Sequence, residues 1–314
     1  MYDLVIIGAA AAGSSAAIYA ARRNLNTVIV SKDIGGEVAL SGEVENWPGI
    51  PHITGFELAK NFHEHVKQYA VPIDEGFEVT AIEQQDNYHI VRAKSYSGTE
   101  KVYQTKTVII ASGIHPRELG IEKEKELKGR GVTYCTVCDG PLFKGKITAT
   151  IGAGNSALES ALMMGGIAKK VYLLTKYDKT DIRGGFPKGE DILIEKVQAL
   201  PNIEIIYNAN TTAFIGEQQL SGLSYQDTKT NEEKHIDIQG AMVHIGAIPN
   251  SSFVSCAHKN AAGEVIVDKL AATNCPGIFA AGDVTDMPYK QISVAAGHGV
   301  VAVLSAISYL NQWK

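Results

Sequence analysis

Two short apolar runs, each ending in a glycine-rich turn, organise the chain. Residues 4–7 carry no polar position and read as a strand buried on both faces. Gly8-Ala9-Ala10-Ala11-Ala12-Gly13 follows, then an alanine-rich helix to about Arg23, then a second apolar strand at 27–30. Strand, glycine turn, helix and strand make a βαβ unit. Over 76–104 apolar and polar positions alternate between polar turns at Asp86-Asn87 and Ser97-Gly98, which predicts an antiparallel meander. Residues 107–111 form another buried strand, ending at Ser112-Gly113.

The pattern then starts again. A strand at 146–151 leads into Gly152-Ala153-Gly154-Asn155-Ser156-Ala157, a helix over 158–165, a strand at 170–174 and a second meander over 203–238. Val243-His244-Ile245-Gly246 parallels Ala111-Ser112-Gly113. Such duplication predicts an α/β chain with two Rossmann-like dinucleotide-binding domains of three-layer ββα type, the second inserted into the first. The last stretch carries a strand at 277–283 and a long helix from about Gln291, which supply what the first nucleotide site lacks. The expected domains are therefore 1–115 with 246–314, and 116–245.

Composition narrows the function. The chain has 314 residues, 45% of them hydrophobic, enough for two cores. A net charge of −5 gives no reason to expect nucleic acid or an anionic membrane surface as partner. The apolar runs are interrupted every few residues, so no segment is expected to span a bilayer. The N-terminus runs straight into a strand without a basic region, so no signal peptide is expected. Four cysteines without framework spacing fit a reducing compartment, so the expected location is cytoplasmic.

Candidate chemistry sits at the turns and between them. In the first turn Gly8 and Gly13 keep the G-x-G-x-x-G frame, but Ala10 replaces the middle glycine that lets pyrophosphate approach the backbone. The helix start still offers N–H groups and a positive dipole end. Where an acid often holds a ribose stand Ser31 and Lys32; Asp33 is the nearby carboxylate, or simply the start of the Gly35-Gly36 turn. The second turn keeps Gly152, Gly154 and Ala157, with Asn155 and Ser156 able to add hydrogen bonds. After 170–174, Lys176, Lys179 and Arg183 either bind a 2′-phosphate or belong to a solvated loop; there are no paired arginines.

Between the two turns lies Cys135-Thr136-Val137-Cys138-Asp139-Gly140. A structural zinc site needs about four ligands, and no second C-x-x-C exists. Two unrelated buried thiols need neither this spacing nor the following acid. A redox disulfide uses both, with Asp139 placed to exchange protons or to act as a helix N-terminal acid. Cys256 and Cys275 are singletons, expected to be inert. Asp283 ends a strand where it can hydrogen-bond a ribitol, and the helix start near Gln291 can stabilise charge on a reduced flavin. His63 and His65 are not metal-spaced, no metal is expected, and Trp313 is expected to cap an apolar edge.

Taken together, Cys-Thr-Val-Cys-Asp-Gly at 135–140, the segment from Gly42 to Gly49 (Gly-Glu-Val-Glu-Asn-Trp-Pro-Gly), Phe279-Ala280-Ala281-Gly282-Asp283-Val284 and Tyr289-Lys290-Gln291 resemble the low-molecular-weight thioredoxin reductases over essentially the whole chain. The resemblance implies FAD against Gly8, Ala10, Gly13, Gly36, Glu37, Asn46, Gly113, Gly282, Asp283, Lys290, Gln291 and Ile292. It implies NADPH against Gly152, Gly154, Asn155, Ser156, Ala157 and Lys176. It also implies that Cys138 faces the flavin, Cys135 attacks the partner disulfide and Asp139 handles protons. A homodimer follows, as does a swing of one domain against the other about 113–116 and 246–249. The expected partner is thioredoxin or a thioredoxin-like protein.

One departure bears on the electron donor. The family's His-Arg-Arg…Arg signature falls on Thr175-Lys176-Tyr177 and the loop beyond, where Lys176 and Arg183 carry the positive charge. Relatives lacking that signature take electrons from reduced ferredoxin or another donor, or are dithiol oxidases that close a small-molecule disulfide with oxygen as acceptor. The expected function is therefore a flavin disulfide reductase fed by NADPH or by a donor such as ferredoxin. The alternatives are a dithiol oxidase and a non-catalytic dinucleotide sensor.

Overall fold

The computed structural model describes residues 1–41 and 43–313. Two compact units emerge, Met1–His115 with Ile248–Lys314, and Pro116–Ala247. The second boundary falls at 247–248 rather than 245–246, because the Gly246 carbonyl accepts the Arg117 N–H at 2.9 Å and so belongs to the inserted unit.

In the first unit the strands run in the order Ile73–Glu75, Thr27–Ile34, Tyr2–Ala9, Glu100–Ile110, His89–Ser95, Phe77–Gln84, and Ile278–Ala280 also pairs with Glu100–Ile110. Strand Glu100–Ile110 serves two ladders. Its first half pairs antiparallel with His89–Ser95, its second half parallel with Tyr2–Ala9 and Ile278–Ala280. The apolar pattern marks only the half buried on both faces, which is why the sequence places its start near 107. Alternate residues feed two cores: Leu4, Ile6, Ile29 and Ile109 on one face, Val5, Ile7, Val28, Val30 and Val108 on the other.

Helix Ala11–Arg22 lies against helix Ile292–Leu310, and a Cβ on Gly299 would collide with the Ala12 carbonyl oxygen, so the two backbones touch. By length and composition Ile292–Leu310 is apolar enough to cross a bilayer, contrary to the expectation that no segment is. Its face bearing Ala295, Gly299, Ala302, Val303 and Ala306 is built into the core. Helix Gly55–Gln68 is not marked by any apolar run. Its signal is the capping box, in which Thr54 accepts the Glu57 N–H while Glu57 accepts the Thr54 N–H. Trp313 donates to the Asn87 carbonyl at 3.0 Å and lies beneath Lys106.

The second unit holds a parallel sheet in the order Val132–Thr133, Gly240–Val243, Ile147–Ile151, Lys170–Leu174, Ile203–Ile206. The meander is narrower than 203–238: it comprises Ala209–Gly216, Leu220–Asp227 and Glu233–Asp237, because Ile203–Ile206 pairs parallel with Lys170–Leu174. Helix Asn155–Gly165 starts at the turn itself rather than at 158. It buries Leu158, Ala161 and Met164 with Val171, Leu173 and Met242, while Phe214 and Leu223 of the meander pack with Ala149, Ile151 and Val243. Helix, parallel sheet and meander thus form the three layers that the sequence predicts.

Candidate active site

The parallel strands of the inserted unit all deliver their next residues to one edge of the sheet. Val132–Thr133 leads to Cys135, Gly240–Val243 to His244, Ile147–Ile151 to Gly152, and Lys170–Leu174 to Thr175.

Cys135 and Cys138 are joined in a disulfide with Cα atoms 5.3 Å apart. Cys135 caps the four-residue helical turn Thr136–Asp139, its Sγ accepting the Cys138 N–H at 3.3 Å. Thr133 links the strand to this turn. Its Oγ1 accepts the Cys135 N–H at 3.1 Å and donates to the Asp139 carboxylate. The acid is therefore held beside the disulfide by the strand that feeds it. Buried Thr136 places its hydroxyl 2.6 Å from Ser160 Oγ and 2.7 Å from His244 Nε2. Burial pushes the His244 imidazole down to about 4, so it is neutral near pH 7. Both cysteines are half-buried, and Val137 between them is 52% exposed.

Thr133, Ser160 and His244 escape the sequence reading. The signal for His244 is register: its strand pairs with the strand that feeds the cysteines. A Cβ on Gly152 would collide with the His244 carbonyl oxygen, so the second glycine turn lies beside the same histidine. Gly154 begins helix Asn155–Gly165 with no side-chain cap, and Ala157 is buried beneath Gly152. Asn155 exchanges hydrogen bonds with Glu190, at 2.9 and 2.8 Å, while Ser156 is exposed.

The loop after Lys170–Leu174 is largely self-satisfied. Arg183 donates to the Gly189 carbonyl at 2.6 Å and lies 3.9 Å from Asp191. Asp178 pairs with Lys229, accepts from Thr180 and Asn208, and is held well below the usual carboxylate range, chiefly by Lys229. Lys176 is exposed, its ammonium 5.4 Å from the Tyr177 ring centre.

In the first unit the residues predicted around one nucleotide converge. Gly8 has φ +111°, and its Cβ would collide with the Ala111 carbonyl oxygen; a Cβ on Gly13 would collide with that of Gly8. Ala10 has φ −95°, an ordinary conformation for a side chain, so its methyl is accommodated. The Cβ position of Gly36 lies 3.5 Å from Ala10 Cβ, and the Gly36 N–H donates to Asp33 Oδ1 at 3.0 Å. Asp33 is thus a turn former, and Glu37 follows it in the short helix Gly36–Leu40. Gly42 lies outside the described residues. Asn46 donates to Gln291 Oε1 at 3.2 Å, at the start of helix Ile292–Leu310. Gly282 abuts Ala12 and donates its N–H to His298 Nδ1 at 3.1 Å. Lys290 is held by the Thr285 carbonyl at 2.5 Å and Glu264 at 2.9 Å. Gly113 follows Ser112, whose backbone nitrogen lies 3.3 Å from the Gly8 Cβ position, and its carbonyl accepts the Asn250 N–H at 3.0 Å.

These residues fit a dinucleotide. Helices Ala11–Arg22 and Ile292–Leu310 begin without a side-chain cap, whereas Gly55–Gln68, away from the turn, has both halves of a capping box. The uncapped starts leave N–H donors for an anion. Asp283, whose carboxylate accepts no hydrogen bond among the described residues, is pushed up to about 6 by burial. A hydroxyl of a bound dinucleotide would supply a donor to this carboxylate.

Residues 2–299 match the pyridine nucleotide-disulphide oxidoreductase family. The chain is 40% identical over 310 residues to an alkyl hydroperoxide reductase component of Staphylococcus epidermidis and 37% identical over 310 residues to an NADH dehydrogenase of Bacillus subtilis. Each match takes in 98% of this chain but 59% and 58% of the relative, so the chain spans about three-fifths of the length of these curated proteins. The crystal structure of thioredoxin reductase from Streptococcus pyogenes superposes with a TM-score of 0.90 at 32% identity, covering 99% of both chains.

Proposed function

Since the chain belongs to the pyridine nucleotide-disulphide oxidoreductase family, we propose that it reduces a disulfide in thioredoxin or a thioredoxin-like domain, with FAD and NADH as cofactors. The observation that carries this reading is the Cys135–Cys138 disulfide, held at the carboxyl edge of a nucleotide-type sheet with Asp139 fixed beside it by Thr133. The similarity to a thioredoxin reductase along the full chain supports the same partner class.

FAD, when bound, supplies the electron pair that opens the Cys135–Cys138 disulfide. The protein's own residues do the rest. The Cys135 thiolate attacks one sulfur of the partner disulfide, giving a mixed disulfide and a partner thiolate. The Cys138 thiolate then displaces the partner, restoring Cys135–Cys138 and leaving the partner as a dithiol. Asp139 carries the proton that each departing thiolate needs.

NADH is preferred to NADPH because the loop that would grip a 2′-phosphate has no arginine fork. Arg183 is committed to Gly189 and Asp191, leaving the flexible Lys176 and Lys179. A ferredoxin donor is disfavoured by the second glycine turn, whose uncapped helix start suits a nucleotide phosphate. A homodimer belongs to the same reading, with Val301 and Leu304 on the exposed side of the last helix as its apolar contribution.

The test is anaerobic. NADH, NADPH and reduced ferredoxin are each mixed with the flavoprotein, and bleaching of the flavin is followed. Fast bleaching by NADH and turnover with a thioredoxin support the proposal. Bleaching by ferredoxin alone overturns the donor, oxygen uptake with a small dithiol and no thioredoxin reduction identifies an oxidase, and a protein that binds no flavin is a sensor. Cys138→Ser is expected to abolish turnover while flavin stays bound.

A further inference from the structure

Cys256 and Cys275 stand apart in the sequence, yet the fold brings both to one side chain: the Asn274 amide reaches the Cys256 carbonyl and the Cys275 sulfur. Cys275 is 5% exposed and belongs to the core of the first unit; Cys256 packs on that core and is the more accessible of the two. The backbone on both sides is clamped. Asn274 donates to the Cys256 carbonyl at 3.2 Å and to Cys275 Sγ at 3.7 Å, and its Oδ1 accepts the His258 N–H at 2.7 Å. Thr273 Oγ1 accepts the Cys275 N–H at 3.1 Å and donates to the Ile278 carbonyl at 2.7 Å. Two cysteines tied to one asparagine, one partly exposed and one buried, suit the roles of an attacking and a resolving thiol.

We propose that Cys256 and Cys275 are a second redox couple, a dithiol that a hydroperoxide closes to a disulfide, independent of Cys135–Cys138. In the first step Cys256 sulfur attacks the terminal peroxide oxygen. The O–O bond breaks, Cys256 becomes a sulfenic acid, and its thiol proton leaves with the alkoxide as alcohol. In the second step Cys275 sulfur attacks the sulfenic sulfur. The S–O bond breaks, and the hydroxyl leaves with the Cys275 proton as water. Two thiols lose two electrons and two protons, and the hydroperoxide becomes one alcohol and one water. Burial pushes the Cys275 thiol up to about 12, so Cys256 reacts first and Cys275 gives its proton to the leaving hydroxyl as it attacks. The disulfide would pin the 251–260 loop to the segment entering strand Ile278–Ala280, the strand that leads to Gly282 and Asp283.

The test uses the full chain with Cys135→Ser and Cys138→Ser, which leaves these two thiols alone. The protein is treated with stoichiometric hydrogen peroxide, unfolded and alkylated in denaturant with N-ethylmaleimide, and mapped by mass spectrometry. Both alkylation sites are expected to disappear together, with a peptide linked through Cys256 and Cys275 that dithiothreitol separates. Adding Cys275→Ser should leave a sulfenic acid at Cys256 that dimedone labels. The unsubstituted chain is mapped alongside, where peroxide should raise the count from one disulfide to two. Two thiols still alkylated after peroxide, or oxidation that stops at Cys256 with Cys275 alkylated, overturns the proposal in either protein.

Discussion

The Thr136 hydroxyl, between the two cysteines, lies 2.7 Å from His244 Nε2 and 2.6 Å from Ser160 Oγ. Threonine's one hydroxyl proton can serve only one of these neighbours, so the neutral ring and Ser160 together settle its orientation. Burial holds the folded-state value near 4, against 6.5 for a free imidazole. Between those values the unfolded chain binds a proton that the folded chain refuses. Stability is therefore full above about pH 6.5 and is lost as pH falls to about 4, by on the order of 3 kcal/mol. Urea midpoints of wild type and His244→Gln at pH 7 and pH 4.5 should differ by this slope, because the opposing contribution of Asp283 is common to both proteins. An unchanged slope in the variant would remove His244 as its source.

Thr133 couples the disulfide to its acid, since one side chain meets both the Cys135 N–H and the Asp139 carboxylate. Asp139→Asn should lower turnover about 100-fold, the lower range for a lost proton-transfer group, while flavin reduction by NADH is unaffected. Thr133→Val should cost roughly 10-fold in the same step, because a hydrogen bond to a carboxylate is worth about 1.5 kcal/mol or more. Rapid-mixing measurement of flavin reduction and steady-state thioredoxin reduction separates the two halves. Equal loss in both would mean that Thr133 acts on the fold rather than on the acid.

What the sequence shows and hides follows from range. Gly8, Gly13, Gly152 and Gly154 are legible because backbone sterics at a strand-to-helix turn leave a local mark, and the apolar runs before them identify the strands. Cys135, Cys138 and Asp139 are legible for the same reason, being neighbours in one turn. His244 and Ser160 reach Thr136 only through sheet register and helix packing, which no local pattern encodes. Cys256 and Cys275 read as inert because nothing local relates them; they come together only once the loop over 251–260 is pinned by Asn274. The charged loop at 175–183 is legible as residues but not as chemistry. Its cations count differently once Arg183 is seen on Gly189 and Asp191.

The replacement of a glycine by Ala10 should be neutral, whereas Gly8 and Gly13 of the same turn tolerate no side chain. A Cβ on Gly13 would collide with the Gly8 carbonyl oxygen, and Ala10 already has room for its methyl at φ −95°. Gly13→Ala is expected to lower the melting temperature and yield protein with little or no flavin. Ala10→Gly should cost no more than about 1 kcal/mol, the entropic effect of the added backbone freedom. Calorimetry and the flavin-to-protein absorbance ratio check both. A Gly13→Ala protein with full flavin content would show that the turn shifts freely, against the close packing found there.

Asp283 should trade stability for binding. Burial raises its folded-state value to about 6, from 3.8 in the unfolded chain, so the folded apoprotein holds a proton there that the unfolded chain releases. This group therefore disfavours folding increasingly as pH rises through that window, and the full penalty remains at pH 7. Asp283→Asn removes the penalty, so the apoprotein variant should melt at a higher temperature than the wild-type apoprotein at pH 7, with the difference vanishing below pH 4. The same change should weaken FAD binding about 10-fold, because the amide is a poorer acceptor for a ligand hydroxyl than the carboxylate. Thermal melts of apoprotein at pH 4 and pH 7 and a fluorescence titration with FAD measure the two effects independently. Unchanged FAD affinity in the variant would place the ligand's hydroxyls elsewhere, and a variant melting lower at pH 7 would mean that the carboxylate has a partner that stabilises it.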